Sequence, residues 1–145
     1  MQKVLVLLCL FGGAFACTDT ENPKLYGMWK LTDVVNNGAT SKVDTVFFSF
    51  HKAVFGYTVL NFCPELENTT VLSYGYLDYP DGDKQVKISM DKSAEYNLCV
   101  NDLMRYHYAW SNICPCDTVT FDIKTLNAKH MTLELGGAQF NFVKW

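Results

Sequence analysis

The sequence predicts an all-β fold: eight strands in consecutive antiparallel order, closed into an up-and-down barrel, with one short helical segment around residues 93–107. Three observations predict it. Short runs rich in β-branched and aromatic residues recur along the chain, each broken by Gly, Pro, Asn or Asp. Several of these runs alternate apolar and polar positions, the period of a strand with one buried face. The chain is 145 residues long, enough for one domain, and a small antiparallel sheet in one domain removes both of its edges by closing on itself. Eight strands leave an interior just wide enough for side chains or one small ligand.

The first element is an address. Lys3 precedes an apolar run over 4–11, and the small residues Gly12, Gly13, Ala14 and Ala16 lead to Cys17. This is the pattern of a secretory signal peptide over residues 1–16. The run is far short of the ~20 residues that a membrane-spanning helix needs. Two processing routes fit. Ala14-Phe15-Ala16 suits an ordinary cut before Cys17. The same cut resembles a bacterial lipoprotein signal, in which Cys17 carries the lipid. Both routes export the chain. Residues 17–24 are polar apart from Cys17 and contain Pro23, as a tether would. The barrel domain is expected over 25–145.

Its strands follow in order. Residues 28–35 form the first run, closed by Asn36-Asn37-Gly38. Residues 44–51 alternate, with Val46, Phe48 and Phe50 on one face. Residues 54–62 form the third run, with Gly56 as a bend or bulge, and 69–79 the fourth, with Gly75 inside it. Tyr79-Pro80-Asp81-Gly82-Asp83 is a turn, since Pro presets φ and Gly accepts φ > 0. Residues 84–90 place Val86, Ile88 and Met90 on one side. Tyr96, Cys99, Val100, Leu103, Met104 and His107 then recur at steps of three and four, which is helical spacing. Residues 118–123 and 130–135 alternate again, with a polar connection over 124–129. Gly136-Gly137 is a two-residue hairpin signal leading into a last strand over 138–145.

Composition narrows the function. Hydrophobic residues make up 49% and charged residues 19%, which excludes a disordered chain. The net charge is −3 and the single arginine is Arg105. With no basic run, nucleic acid is not an expected partner. No nucleophile-elbow Gly-x-Ser-x-Gly and no Gly-x-x-x-x-Gly-Lys phosphate loop is present. The three histidines, His51, His107 and His130, are far apart in sequence. No catalytic role and no cofactor is expected.

The residues resemble a known family. Gly27-Met28-Trp29 is a G-x-W on the first strand. Trp110, Phe121-Asp122-Ile123-Lys124-Thr125-Leu126, Met131-Thr132-Leu133 and Phe140-Asn141-Phe142 follow it in order. This pattern resembles the lipocalins, and more closely the short lipocalin-like lipoproteins of the Bacteroidetes. The resemblance covers roughly residues 25–145. It implies that Gly27 and Trp29 pack at the closed end of the barrel, with a last-strand cation over the indole face. Lys144 stands where the family usually has Arg. It also implies a binding protein of the cell envelope, with Asp19 and Glu21 after Cys17 resembling the surface-export signal of such lipoproteins.

Four further cysteines, Cys63, Cys99, Cys114 and Cys116, are disulfide candidates in an exported chain. Their connectivity is open, with Cys99 joined to the Cys114/Cys116 pair as the preferred bond. A metal site on Cys99, His107, Cys114 and Cys116 is the lesser reading, so no metal is assigned. Phe48, Phe50, Tyr57, Tyr74, Tyr76, Phe121 and Phe140 are the candidate ligand-binding residues, if one set of aromatics lines an open mouth. Two functions follow. One is a non-enzymatic envelope lipoprotein that holds a small apolar or amphipathic molecule and is anchored to a membrane at Cys17. The other is a filled barrel whose loops contact an envelope protein.

Overall fold

The computed structural model describes residues 21–61, 70–91 and 118–145. The expected signal peptide over 1–16, Cys17, the helical segment expected over 93–107 and the cysteines at 63, 99, 114 and 116 lie outside these. A 3-10 turn, Pro23–Leu25, opens the described chain. Asn22 caps it by accepting from the backbone N–H of Lys24 at 3.2 Å. Nine strands follow: β1 (Gly27–Asn36), β2 (Ala39–Lys42), β3 (Val46–His51), β4 (Val54–Leu60), β5 (Thr70–Asp78), β6 (Gln85–Met90), β7 (Thr118–Leu126), β8 (His130–Leu135) and β9 (Ala138–Lys144). Neighbours pair antiparallel in the order β2-β1-β3-β4-β5-β6-β7-β8-β9, and β1 also pairs with β9. That last ladder closes an eight-stranded barrel, with β2 as an extra strand.

The extra strand lies between the strands expected over 28–35 and 44–51, where none was expected. Asn37 and Gly38 both have positive φ, 50° and 78°, as a two-residue type I′ hairpin requires. The chain therefore folds straight back, and β2 pairs with the upper half of β1, from Asp33↔Lys42 to Asn36↔Ala39. The lower half of β1 pairs with β3, so β2 and β3 share one side of β1 across a break at residues 43–45. Two other expectations are corrected. Gly56 is no bulge, because the register runs unbroken through it on both sides. The connection over 124–129 is shorter, because β7 continues to Leu126 past a register shift between Ile123 and Thr125.

Strand direction sorts the connections. The 3-10 turn, the β3–β4, β5–β6 and β7–β8 turns and the end of β9 lie at one end. The β1–β2 and β8–β9 turns, the ends of β4 and β6 and the starts of β5 and β7 lie at the other. The first end is closed by the 3-10 turn, whose Leu25 is buried.

The core runs through the barrel. Phe48 is its hub, with ring centroids of Phe142, Phe55, Tyr57 and Phe121 at 4.9, 5.1, 5.5 and 6.4 Å. Most of these pairs meet edge to face, the geometry that aromatic quadrupoles favour.

The two outer walls differ. Over β6 to β9 the outside is polar. Lys124 bridges Glu134 and Asp122 at 3.1 and 3.6 Å, Gln85 donates to Asp122 at 2.9 Å, and Thr132 donates to Asn141 at 2.9 Å. Over β1, β3, β4 and β5 it is apolar. The large exposed hydrophobic side chains among the described residues all lie there or beside it, Leu60 and the final Trp145 included.

Candidate functional site: the barrel interior

The closed end is built around Trp29. A G-x-W on β1 places this indole inward at the start of the strand, and it is fully buried. Its Nε1 donates to the Leu25 carbonyl at 2.7 Å, which fixes the 3-10 turn across the barrel end. Lys144, opposite Trp29 in the β1–β9 register, holds its Nζ 4.2 Å from the ring centroid and donates to the Tyr26 carbonyl. A cation over a covered indole face is attracted by the ring quadrupole. Burial pushes the Lys144 ammonium below the ordinary lysine value. Gly27 completes the arrangement. Its φ is 115°, and a Cβ there would lie 2.8 Å from Lys144 Nζ. These contacts give Gly27, Trp29 and Lys144 structural work at the closed end.

The interior above this floor is packed with side chains. The rings of Phe50, Phe55, Phe48, Tyr57, Phe121, Phe140 and Phe142 are all buried. So are the smaller inward residues Val34, Val46, Val59, Ser73, Met90, Val119 and Ala138, and rings and small side chains share a level where Tyr57 faces Ser73 and Phe140 faces Val34. Together they make a mainly apolar lining. Tyr57 and Ser73, cross-strand partners on β4 and β5, bring hydroxyls into that lining.

Five of the seven candidate ligand residues, Phe48, Phe50, Tyr57, Phe121 and Phe140, therefore point into the barrel. Tyr74 and Tyr76 do not. They are 52% and 58% exposed on the outer wall, and this corrects their expected place in the lining. The inward set of β5 is instead Ser73, Gly75 and Leu77. The sequence offered no apolar signal at Ser73 or Gly75. Gly75 is inward for a steric reason: a Cβ there would meet the Ser89 carbonyl oxygen at 2.7 Å. The four disulfide-candidate cysteines lie outside the described residues.

Outside the barrel, at its closed end, Lys24, Leu126, Asn127 and Ala128 line a shallow hollow of about 440 Å³. It is open to solvent and separate from the interior. Among the described residues no three His, Cys, Asp or Glu side chains gather as metal ligands. His51 and His130 are both exposed.

A closed antiparallel barrel, plugged at one end by a 3-10 turn and a Trp–Lys pair, is the architecture of a lipocalin-like barrel. The chain belongs to the lipocalin-like domain family, whose pattern it matches over residues 8–145. It is similar to the crystal structure of a lipocalin-like protein from Bacteroides uniformis, with 24% identity over 84% of this chain and 99% of that one and a TM-score of 0.66. It is also similar to an uncharacterized protein from Bacteroides eggerthii, with 22% identity over 83% and 99% and a TM-score of 0.65. At these identities the likeness is one of fold. No curated protein matches the chain.

Proposed function

We propose that this protein is a non-enzymatic lipoprotein of the cell envelope that holds a small apolar or amphipathic molecule in the upper half of its barrel. The observation that carries the reading is a closed barrel with a mainly apolar inward set, whose small members Val46, Val59, Val119 and Ala138 lie toward the end away from Trp29. The proposed ligand position is beside them, beyond the rings that converge on Phe48. A mainly apolar lining with a few fixed hydroxyls is the usual character of a small-molecule site. Tyr57 and Ser73 would orient a polar group of the ligand.

Native mass spectrometry of the protein from its own host's envelope tests this. A mass excess that disappears on denaturation supports the carrier reading. A filled variant supplies the control. Val59→Trp or Ala138→Phe should abolish both the excess and the binding of a fluorescent fatty acid. A bare mass together with no binding of that probe by the unaltered protein would sink the proposal. Anchorage has its own test. Labelled palmitate should enter the protein and fail to enter Cys17→Ala, and continued labelling of that variant would refute lipidation at Cys17.

A further inference from the structure

The apolar outer wall is independent of the interior and of any ligand. Cross-strand pairing assembles it in rows: Phe47–Thr58–Leu72, Ser49–Gly56–Tyr74 and His51–Val54–Tyr76. Met28 flanks the middle row beside Ser49, and Trp145 packs edge-on against Phe47 at 5.3 Å. Leu72 is 47%, Val54 48% and Trp145 72% exposed. Soluble barrels rarely leave so contiguous an apolar face to water unless something covers it.

We propose that this wall is the interface of a two-fold dimer with a second copy of the same chain. Two features point to a copy as the occupant. The first is size. The exposed large side chains of the wall present on the order of 700 Å² of surface, close to the ~800 Å² per partner of a standard stable interface. The second is charge. The centre of the wall carries no charged side chain, and its border is mixed in sign, with Lys30 over Trp145 at 5.6 Å and Asp91 accepting from Tyr76 at 3.3 Å. Mixed borders pair across a two-fold axis, whereas an anionic lipid surface calls for a uniformly basic one.

Sedimentation velocity of the exported protein from about 1 to about 100 µM reads the outcome. The mass should double with concentration. Leu72→Glu with Tyr76→Glu should weaken association about thirtyfold or more. Val54→Glu should do so independently, and Thr120→Glu on the polar wall should not. All four side chains are solvent-facing, so an unchanged circular dichroism melt certifies the fold of each variant. A monomer throughout the range overturns the proposal. If that monomer floats with phosphatidylethanolamine–phosphatidylglycerol vesicles, the wall belongs to lipid. If it does not, the wall serves a different protein or a segment of its own chain. A dimer indifferent to the wall substitutions also overturns it.

Discussion

Tyr79, just past β5, is buried at the closed end beside the incoming chain. Burial raises its phenol above the ordinary tyrosine value, the Glu21 carboxylate adds to the rise, and the nearby Asn22 backbone offsets part of it. A raised folded value stabilises below the unfolded one and is lost as pH climbs past it. Relative to Tyr79→Phe, the protein should hold constant stability up to about pH 10 and lose it above. Denaturant titrations of both proteins from neutral to alkaline pH measure the difference, and parallel curves would dismiss the effect. At Gly27 the question is steric. Gly27→Ala should cost about 1–3 kcal/mol, from a strained φ and a collision with the end of Lys144. Adding Lys144→Ala should recover the collision part only. A double-mutant cycle separates the two, and additive losses would show that Lys144 simply moves aside.

Among elements, β3 and β5 show what could be read from sequence and what could not. In β3 the alternation of Val46, Phe48 and Phe50 names the buried face, and the structure buries all three. Phe48→Ala should therefore cost about 3–5 kcal/mol in chemical denaturation, since it removes the ring on which the others converge. A loss under 1 kcal/mol would mean that the neighbouring rings collapse into the space. In β5 the same rule misleads. The apolar set Leu72, Tyr74 and Tyr76 is the outer one, because the interior there takes Ser73 and Gly75. Alternation gives the period of a strand and leaves its inward face to be chosen by hydrophobicity, and an apolar outer wall inverts that choice. β2 was illegible for a different reason. All four of its residues are exposed, so no buried face imprints a period. The bulge in β7 hid the last residues of that strand by shifting the pattern past Ile123.

For the whole molecule, the closed end was the most legible part of the site. A G-x-W and a cation near the end of the last strand are short signals, and β1–β9 pairing brings them together. The rest of the lining was less legible, because it is spread over separate strands and includes Ser73 and Gly75. The two surfaces of the barrel make separable predictions. Tyr74→Ala and Tyr76→Ala should leave the affinity for a fluorescent fatty acid unchanged within about twofold, since the Coulomb and packing influence of an outward side chain on the interior is slight. Ala138→Phe should remove binding without altering self-association. If the tyrosine variants lose the probe, the ligand sits on the outer wall and the interior is only a core.

The ladder between β1 and β9 joins Trp29 to Lys144 and Val35 to Gln139. It is the most sequence-distant pairing in the barrel, and its place in time differs from its place in space. A ribosome delivers β1 before every other strand and β9 after them, so the first strand waits unpaired on that side until β9 emerges. Contacts of such separation slow folding, because the chain must be looped before they reward it. The barrel therefore cannot close on a nascent chain until its last strand has been made. A chain cut before Ala138 should stay expanded and protease-sensitive, and supplying the 138–145 peptide in trans should restore protection.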